Sequence, residues 1–200
     1  NHGLYDYWIV KLDTSGNISW ERSLGGSNND YAYSIRQTSD EGYIVAGYSD
    51  SNDGDVTSNH GFNDYWVVKL DSSGNIDWQK SLGGSVNDYA TSIQETIDGG
   101  YIVAGQATST NGDVTGNHGG SDVWIVKLDV NGNITWQRSL GGSNNDGAKS
   151  IVQTADGGYI VAGQSKSNDG DVTNNHGSND YWVVKVDASG NITWQRSLGG

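Results

Sequence analysis

The segment 51–61 holds the side chains of this sequence that are best suited to bind a ligand. Asp53 and Asp55 flank a glycine, and Asn59 and His60 follow them closely. Carboxylate and amide oxygens are the ligands that Ca²⁺ prefers, and imidazole binds transition metals or takes part in hydrogen bonds. The pattern returns in two later segments. The full set of candidate ligand-binding residues is Asp53, Asp55, Asn59, His60, Asn111, Asp113, Asn117, His118, Asp169, Asp171, Asn175 and His176.

Calcium is the metal that these oxygens would favour. The candidate ligands are Asp53, Asp55 and Asp64, but their spacing differs from that of a twelve-residue EF-hand loop, and Asn111 replaces the first aspartate in the next copy. The alternative is that the side chains form Asx turns and cap backbone amides. We therefore expect no cofactor, with calcium at these three positions as the alternative.

The sequence is an internal repeat, and its repetition argues against catalysis. Asn-His-Gly occurs at residues 1, 59, 117 and 175, and roughly 36 of the 58 columns are identical in the three complete copies. A catalytic site needs different groups in one asymmetric arrangement, whereas these copies supply the same groups every time. We interpret columns that differ, such as Tyr7, Tyr65 and Val123, as surface drift or relaxed packing. The sequence predicts a protein that is not an enzyme.

Each copy contains four segments with the composition of β-strands. In the first copy these are residues 7–12, 18–24, 31–38 and 43–47, rich in β-branched and aromatic residues and separated by turn residues. Short antiparallel strands at a fixed period predict an all-β fold, a β-propeller of four-stranded antiparallel blades, with a β-solenoid as the alternative. About three and a half blades are predicted, comprising residues 1–58, 59–116, 117–174 and 175–200, the last with strands one and two only.

Several stretches of the second copy resemble a known repeat family. Residues 64–75 (DYWVVKLDSSGN), 82–88 (LGGSVND) and 100–105 (GYIVAG) resemble the SBBP β-propeller repeat of secreted and surface proteins of bacteria and archaea. Residues 69–78, Lys-Leu-Asp-x-x-Gly-x-x-x-Trp, are also similar to the tryptophan-docking motif of quinoprotein dehydrogenase propellers, where the tryptophan packs between blades. The resemblance implies a propeller and a secreted or cell-surface location.

Two rows of tryptophan are interpreted as packing between blades, because each side chain lies mid-strand among aliphatic residues. Stacking against sugars is the alternative role. The two rows comprise Trp8, Trp66, Trp124 and Trp182, and Trp20, Trp78, Trp136 and Trp194. A lysine recurs in the first strand, which we expect to be innermost, and a neighbouring aspartate should pair with it because a buried unpaired lysine is costly. These lysines are Lys11, Lys69, Lys127 and Lys185.

Composition excludes several classes of function. The formal net charge is -13 and the sequence contains no cysteine, so disulfides and thiolate metal sites are absent. Such a charge repels nucleic acid and anionic lipid, and no apolar run is long enough to insert into a membrane. Asn17, Asn133 and Asn191 stand in Asn-Ile-Ser/Thr sequons and are the candidate glycosylation sites.

These observations predict a non-enzymatic structural and adhesive module, secreted or at the cell surface. The partial fourth copy should leave sheet edges unpaired, so we expect either further copies of the chain, forming a ring or fibre, or the remainder of a longer repeat array as partner. The alternative function is a multivalent, lectin-like carbohydrate binder, in which glycans are the partners and repeated weak sites provide avidity.

Overall fold

A computed structural model describes residues 1–200 and shows fourteen β-strands and no helix. No segment therefore forms a helix that could cross a membrane. The strands are β1 Tyr7–Leu12, β2 Ile18–Leu24, β3 Asp30–Gln37, β4 Tyr43–Ser49, β5 Asp64–Leu70, β6 Ile76–Leu82, β7 Asp88–Glu95, β8 Tyr101–Ala107, β9 Asp122–Leu128, β10 Ile134–Leu140, β11 Asp146–Gln153, β12 Tyr159–Ser165, β13 Asp180–Val186 and β14 Ile192–Leu198.

The strands form repeated antiparallel sheets, as the sequence predicted. Three sheets have four strands, in the orders β3-β4-β5-β6, β7-β8-β9-β10 and β11-β12-β13-β14, and β1 pairs with β2 alone. Each four-stranded sheet thus joins the second half of one copy to the first half of the next. The prediction of one whole sheet per copy is wrong.

Loop lengths explain how the prediction failed. The long connection 50–63 joins β4 to β5 within one sheet, while the short turn 25–29 leads from one sheet to the next. Neighbouring antiparallel strands are usually joined by short loops. The predicted copy boundaries therefore placed the long connection between two sheets, whereas it lies inside one. The partial fourth copy completes the third sheet, and the two-stranded sheet lies at the beginning of the chain instead.

Tyrosine and the first tryptophan row bind neighbouring sheets together. The Tyr65 ring lies 4.6 Å from that of Trp124, centre to centre, and its hydroxyl donates to the Trp124 carbonyl at 3.0 Å. Tyr7 makes the same contacts with Trp66. These side chains and Val123 are buried, so of the two interpretations of this column surface drift is wrong and relaxed packing fits. Val123 keeps the apolar contact but has no hydroxyl to donate.

The second tryptophan row packs beneath the first turn of the following copy. A Cβ on Gly132 would lie 2.8 Å from the Trp78 ring, so only glycine fits there, and Gly74 and Gly190 have the same relation to Trp20 and Trp136. The prediction that the tryptophans pack between sheets is thus confirmed for those that have a neighbouring sheet. The two at the ends differ, since Trp8 is 69% exposed and Trp194 is 45% exposed.

We expect Gly132→Ala to destabilise the protein more than Gly16→Ala. Both glycines have a positive φ, near 80°, so an alanine at either site costs roughly 1–2 kcal/mol of backbone strain. Gly132 also faces Trp78, and overpacking there adds about 1–3 kcal/mol, whereas no atom lies within 4 Å of the Cβ position at Gly16. Urea unfolding measures the difference. Equal losses for the two variants would show that the tryptophan contact adds nothing.

Candidate functional site

The long connections and the Gly-Gly turns lie together at one end of the sheets. In the second copy, the Gly83 amide donates to Asp113 Oδ2 at 3.2 Å, and the Ser85 amide donates to Asn111 Oδ1 at 2.8 Å. Asp53 and Asp169 occupy the position of Asn111 in the other copies, each accepting from a turn serine. This column therefore caps the backbone of the preceding turn, and an asparagine serves there as well as an aspartate.

The asparagine of each Asn-His-Gly motif closes its own loop. Asn59 Nδ2 donates to the Ser49 carbonyl at 2.9 Å, and its Oδ1 accepts from the Gly61 amide at 2.9 Å. Asn117 and Asn175 make the corresponding bonds. Both ends of the amide are therefore engaged, and these candidate ligand-binding residues act in the structure as loop braces.

Each histidine is held by a buried aspartate four residues later. The Nδ1–Oδ2 distance is 2.8 Å for His60 and Asp64, and 2.7 Å for His118 and Asp122. His176 pairs with its aspartate in the same way. The imidazole Nε2 makes no hydrogen bond within the chain. Sequence reasoning found the histidines but missed this pairing, although the constant spacing of four residues was visible in every copy.

The three proposed calcium ligands do not form one site. Asp64 binds His60, whereas Asp53 and Asp55 accept from backbone amides of the turn near Gly25. No group of three or more acidic or histidine side chains is arranged to hold a metal ion. The geometry therefore gives no support to the calcium alternative at these positions, because each carboxylate is used in a separate turn or pair.

A second buried aspartate lies beside the histidine partner in every copy except the last, where Asp180 has none. Asp64 Oδ1 and Asp88 Oδ2 both face Gly83, and a Cβ there would lie 2.5 and 2.7 Å from them. Asp88 Oδ2 accepts from the Gly84 amide, but the buried Asp64 Oδ1 accepts no hydrogen bond. Burial raises the pKa of Asp64 to about 6, with the Asp88 charge adding to the rise and the bonds from His60 opposing it.

An open cleft recurs at two junctions between sheets. At the first junction the cleft measures about 450 Å³ and is lined by His60, Lys80, Asp113 and Asn133. The second cleft, of about 420 Å³, has the equivalent residues. They are His118, Arg138, Asp171 and Asn191. A third set around His176 and Arg196 lacks the wall that a following copy would supply.

The lysine column pairs with aspartate as predicted in three copies. Lys69, Lys127 and Lys185 lie 2.8–3.0 Å from Asp40, Asp98 and Asp156. Lys11 has no such partner and instead lies over the Tyr43 ring. These lysines do not lie on the strands that run closest together across neighbouring sheets, since β7 contacts β3 and β11. The expectation that their strand is innermost is wrong.

The three sequons lie on exposed turns, where their side chains are engaged. Asn17 Nδ2 donates to Asp13 Oδ2 at 3.0 Å, and Asn133 and Asn191 make the same bond to the aspartate four residues earlier. Glycosylation of these residues stays a prediction, and it would require the Asx turn to release the amide nitrogen.

Comparison with known proteins gives a distant similarity. No family model matches the chain. A stretch of 184 residues, 83% of the chain, is 27% identical to the regulatory protein FlaEY of Caulobacter vibrioides. The chain spans only 18% of the length of that relative.

We expect Asp64→Asn to weaken the pH dependence of stability between about pH 4 and pH 6. A carboxyl group with a raised pKa binds its proton more tightly when folded, so its contribution to stability is full below about pH 4 and is lost as pH rises through 6. Between these pH values the free energy of unfolding should fall by on the order of 1–3 kcal/mol less in the variant than in the unmodified protein. Denaturant unfolding at a series of pH values measures it.

Asp180→Asn is the matched control. It occupies the same column, but hydrogen bonds from His176 lower the pKa of Asp180. This variant should leave the fall between pH 4 and pH 6 intact. An unchanged pH profile for Asp64→Asn would show that the buried carboxyl does not titrate in this range.

Proposed function

We propose that this chain is a non-enzymatic structural and adhesive module of the cell surface, built as part of a β-propeller ring or a continuing repeat array. Its function is to join further copies of the same unit through its two end faces. The observation that supports this proposal is the exposure, at the ends, of Trp8, Tyr181 and Leu198, whose equivalents are buried at the internal junctions.

The exposed apolar side chains cluster at the two ends of the chain. The first end exposes Trp8 and the last exposes Tyr181, whereas Trp66 and Tyr65 in the same columns are fully buried. The end clusters comprise Leu4, Tyr5, Trp8, Leu12, Ile18, Tyr33 and Ile35 at the first end, and Val152, Tyr181, Trp194 and Leu198 at the last. Apolar patches of this kind on a protein surface mark interaction sites.

The two end faces carry the two halves of one internal junction. Inside the chain, Trp78 lies beneath Gly132 and Tyr65 packs on Trp124. Trp194 lacks its glycine, and Gly16 lies over no tryptophan. A second copy placed head to tail would therefore bring Trp194 under Gly16. Contacts of this heterologous type close into rings or extend into fibres.

Two further observations favour a module within a larger array. Strand β1 pairs with a strand along one edge only, whereas its equivalents β5, β9 and β13 pair with a strand along both edges. Open edges recruit additional strands. The similarity to FlaEY also covers most of this chain but a small part of that longer protein. Both fit a unit that works beside other units.

We expect the chain to self-associate in a concentration-dependent way, and Trp8→Glu to abolish this association. The substitution places a charge where the apolar end face must be desolvated. Sedimentation velocity over a hundredfold range of concentration measures the effect, with electron microscopy to separate rings from fibres. Ile97→Glu is the control, because Ile97 is 94% exposed but lies away from both ends.

A folded chain that stays monomeric at all concentrations would contradict assembly through the end faces. The cellular location is tested separately by antibody labelling and protease treatment of intact cells that produce the protein. Labelling of intact cells supports the surface role, and signal found only after lysis overturns it.

A further inference from the structure

The two complete clefts at the sheet junctions are each built from both sides of the junction. Their walls come from different sheets, with Lys80 and Arg138 on the outer strand of one sheet and Asp113 and Asp171 on the long connection of the next. Most lining side chains are polar. A volume of about 420–450 Å³ lies within the range of sites for small ligands.

The polar groups of each cleft retain hydrogen-bonding capacity toward a ligand. The Nδ1 of His60 is fixed by buried Asp64, which leaves Nε2 free. Asp113 uses only Oδ2, as acceptor for a backbone amide. Lys80 Nζ has one long contact, 3.5 Å to Asn133 Oδ1. The cleft therefore presents donors and acceptors within one open volume.

The charges select the class of ligand. The cation of Lys80 lies in the same cleft as the anion of Asp113, so their charges offset each other. The net charge of -13 opposes binding of an anion. Few apolar side chains line the cleft, which disfavours a hydrophobic ligand. A neutral molecule with several adjacent hydroxyl groups matches this mixture of donors and acceptors.

We infer that each complete junction cleft binds a neutral saccharide, and that one chain carries two such sites. The histidine and the lysine or arginine contact hydroxyl groups from one wall, and the aspartate accepts a hydroxyl from the other. Each site is weak by itself, and a polymeric glycan that occupies both gains avidity. This inference does not depend on association of the end faces.

The test uses the full chain and a panel of immobilised oligosaccharides, half of them neutral and half containing uronic acids, followed by calorimetric titration with the best binder. We expect neutral oligosaccharides to bind with two sites per chain. The double variant Lys80→Gln, Arg138→Gln should bind about tenfold or more weakly, because each site loses a charged hydrogen-bond donor.

Two controls make the result specific. Arg196→Gln changes the same column where the cleft lacks its second wall, and it should leave binding unchanged. Arg138 donates to the Ser189 carbonyl, so thermal melting must show that the double variant is folded. Lys80→Gln alone leaves that bond intact and should weaken one of the two sites while the other keeps its affinity.

Four outcomes would overturn the inference. The first three are the absence of binding to any neutral oligosaccharide, binding to the uronic acid panel only, which would indicate an anion site, and an equal loss of binding in Arg196→Gln. Binding that persists unchanged in the double variant would place the saccharide elsewhere on the chain and would also overturn it.

Discussion

The contact between one sheet and the next is the interaction on which the rest of this structure depends. A single four-stranded sheet cannot bury both of its faces, so the apolar side chains of each copy become core only when another sheet covers them. Trp66 and Trp8 show this directly. They have almost the same local sequence, yet Trp66 is fully buried and Trp8 is largely exposed. Burial is thus a property of the junction.

Close approach at a junction requires small residues and well-satisfied polar groups. Gly132 allows a turn to lie on the Trp78 ring, and Gly83 allows two buried carboxylates to approach the backbone. The carboxylates in turn fix the histidine and the Gly-Gly turn. The invariant glycines and aspartates of the repeat therefore serve the same purpose as the tryptophans, since all of them determine how closely and in which orientation two sheets meet.

The strands and the role of the internal tryptophans could be predicted from the sequence because both depend on local pattern. Strands β1 and β2 have the bounds that alternation and turn residues indicated. The grouping of strands could not be predicted, because a periodic sequence has no marker for where a sheet begins. The site was predicted only in part. His60 and Asp113 were both identified as candidate ligand-binding residues. That they line one cleft with Lys80 and Asn133 could not be predicted, because their approach follows from the sheet arrangement.

The position of the clefts links the contact between sheets to the formation of ligand-binding sites. Each complete cleft takes its aspartate from the long connection that precedes the next copy and its asparagine from the first turn of that copy. A head-to-tail contact between two chains would bring Asn17 toward Arg196, in the way that Asn191 and Arg138 line the same cleft inside the chain. The ligand groups of a cleft come together only where two sheets meet, so the contact that buries the tryptophans also assembles the polar groups of the cleft.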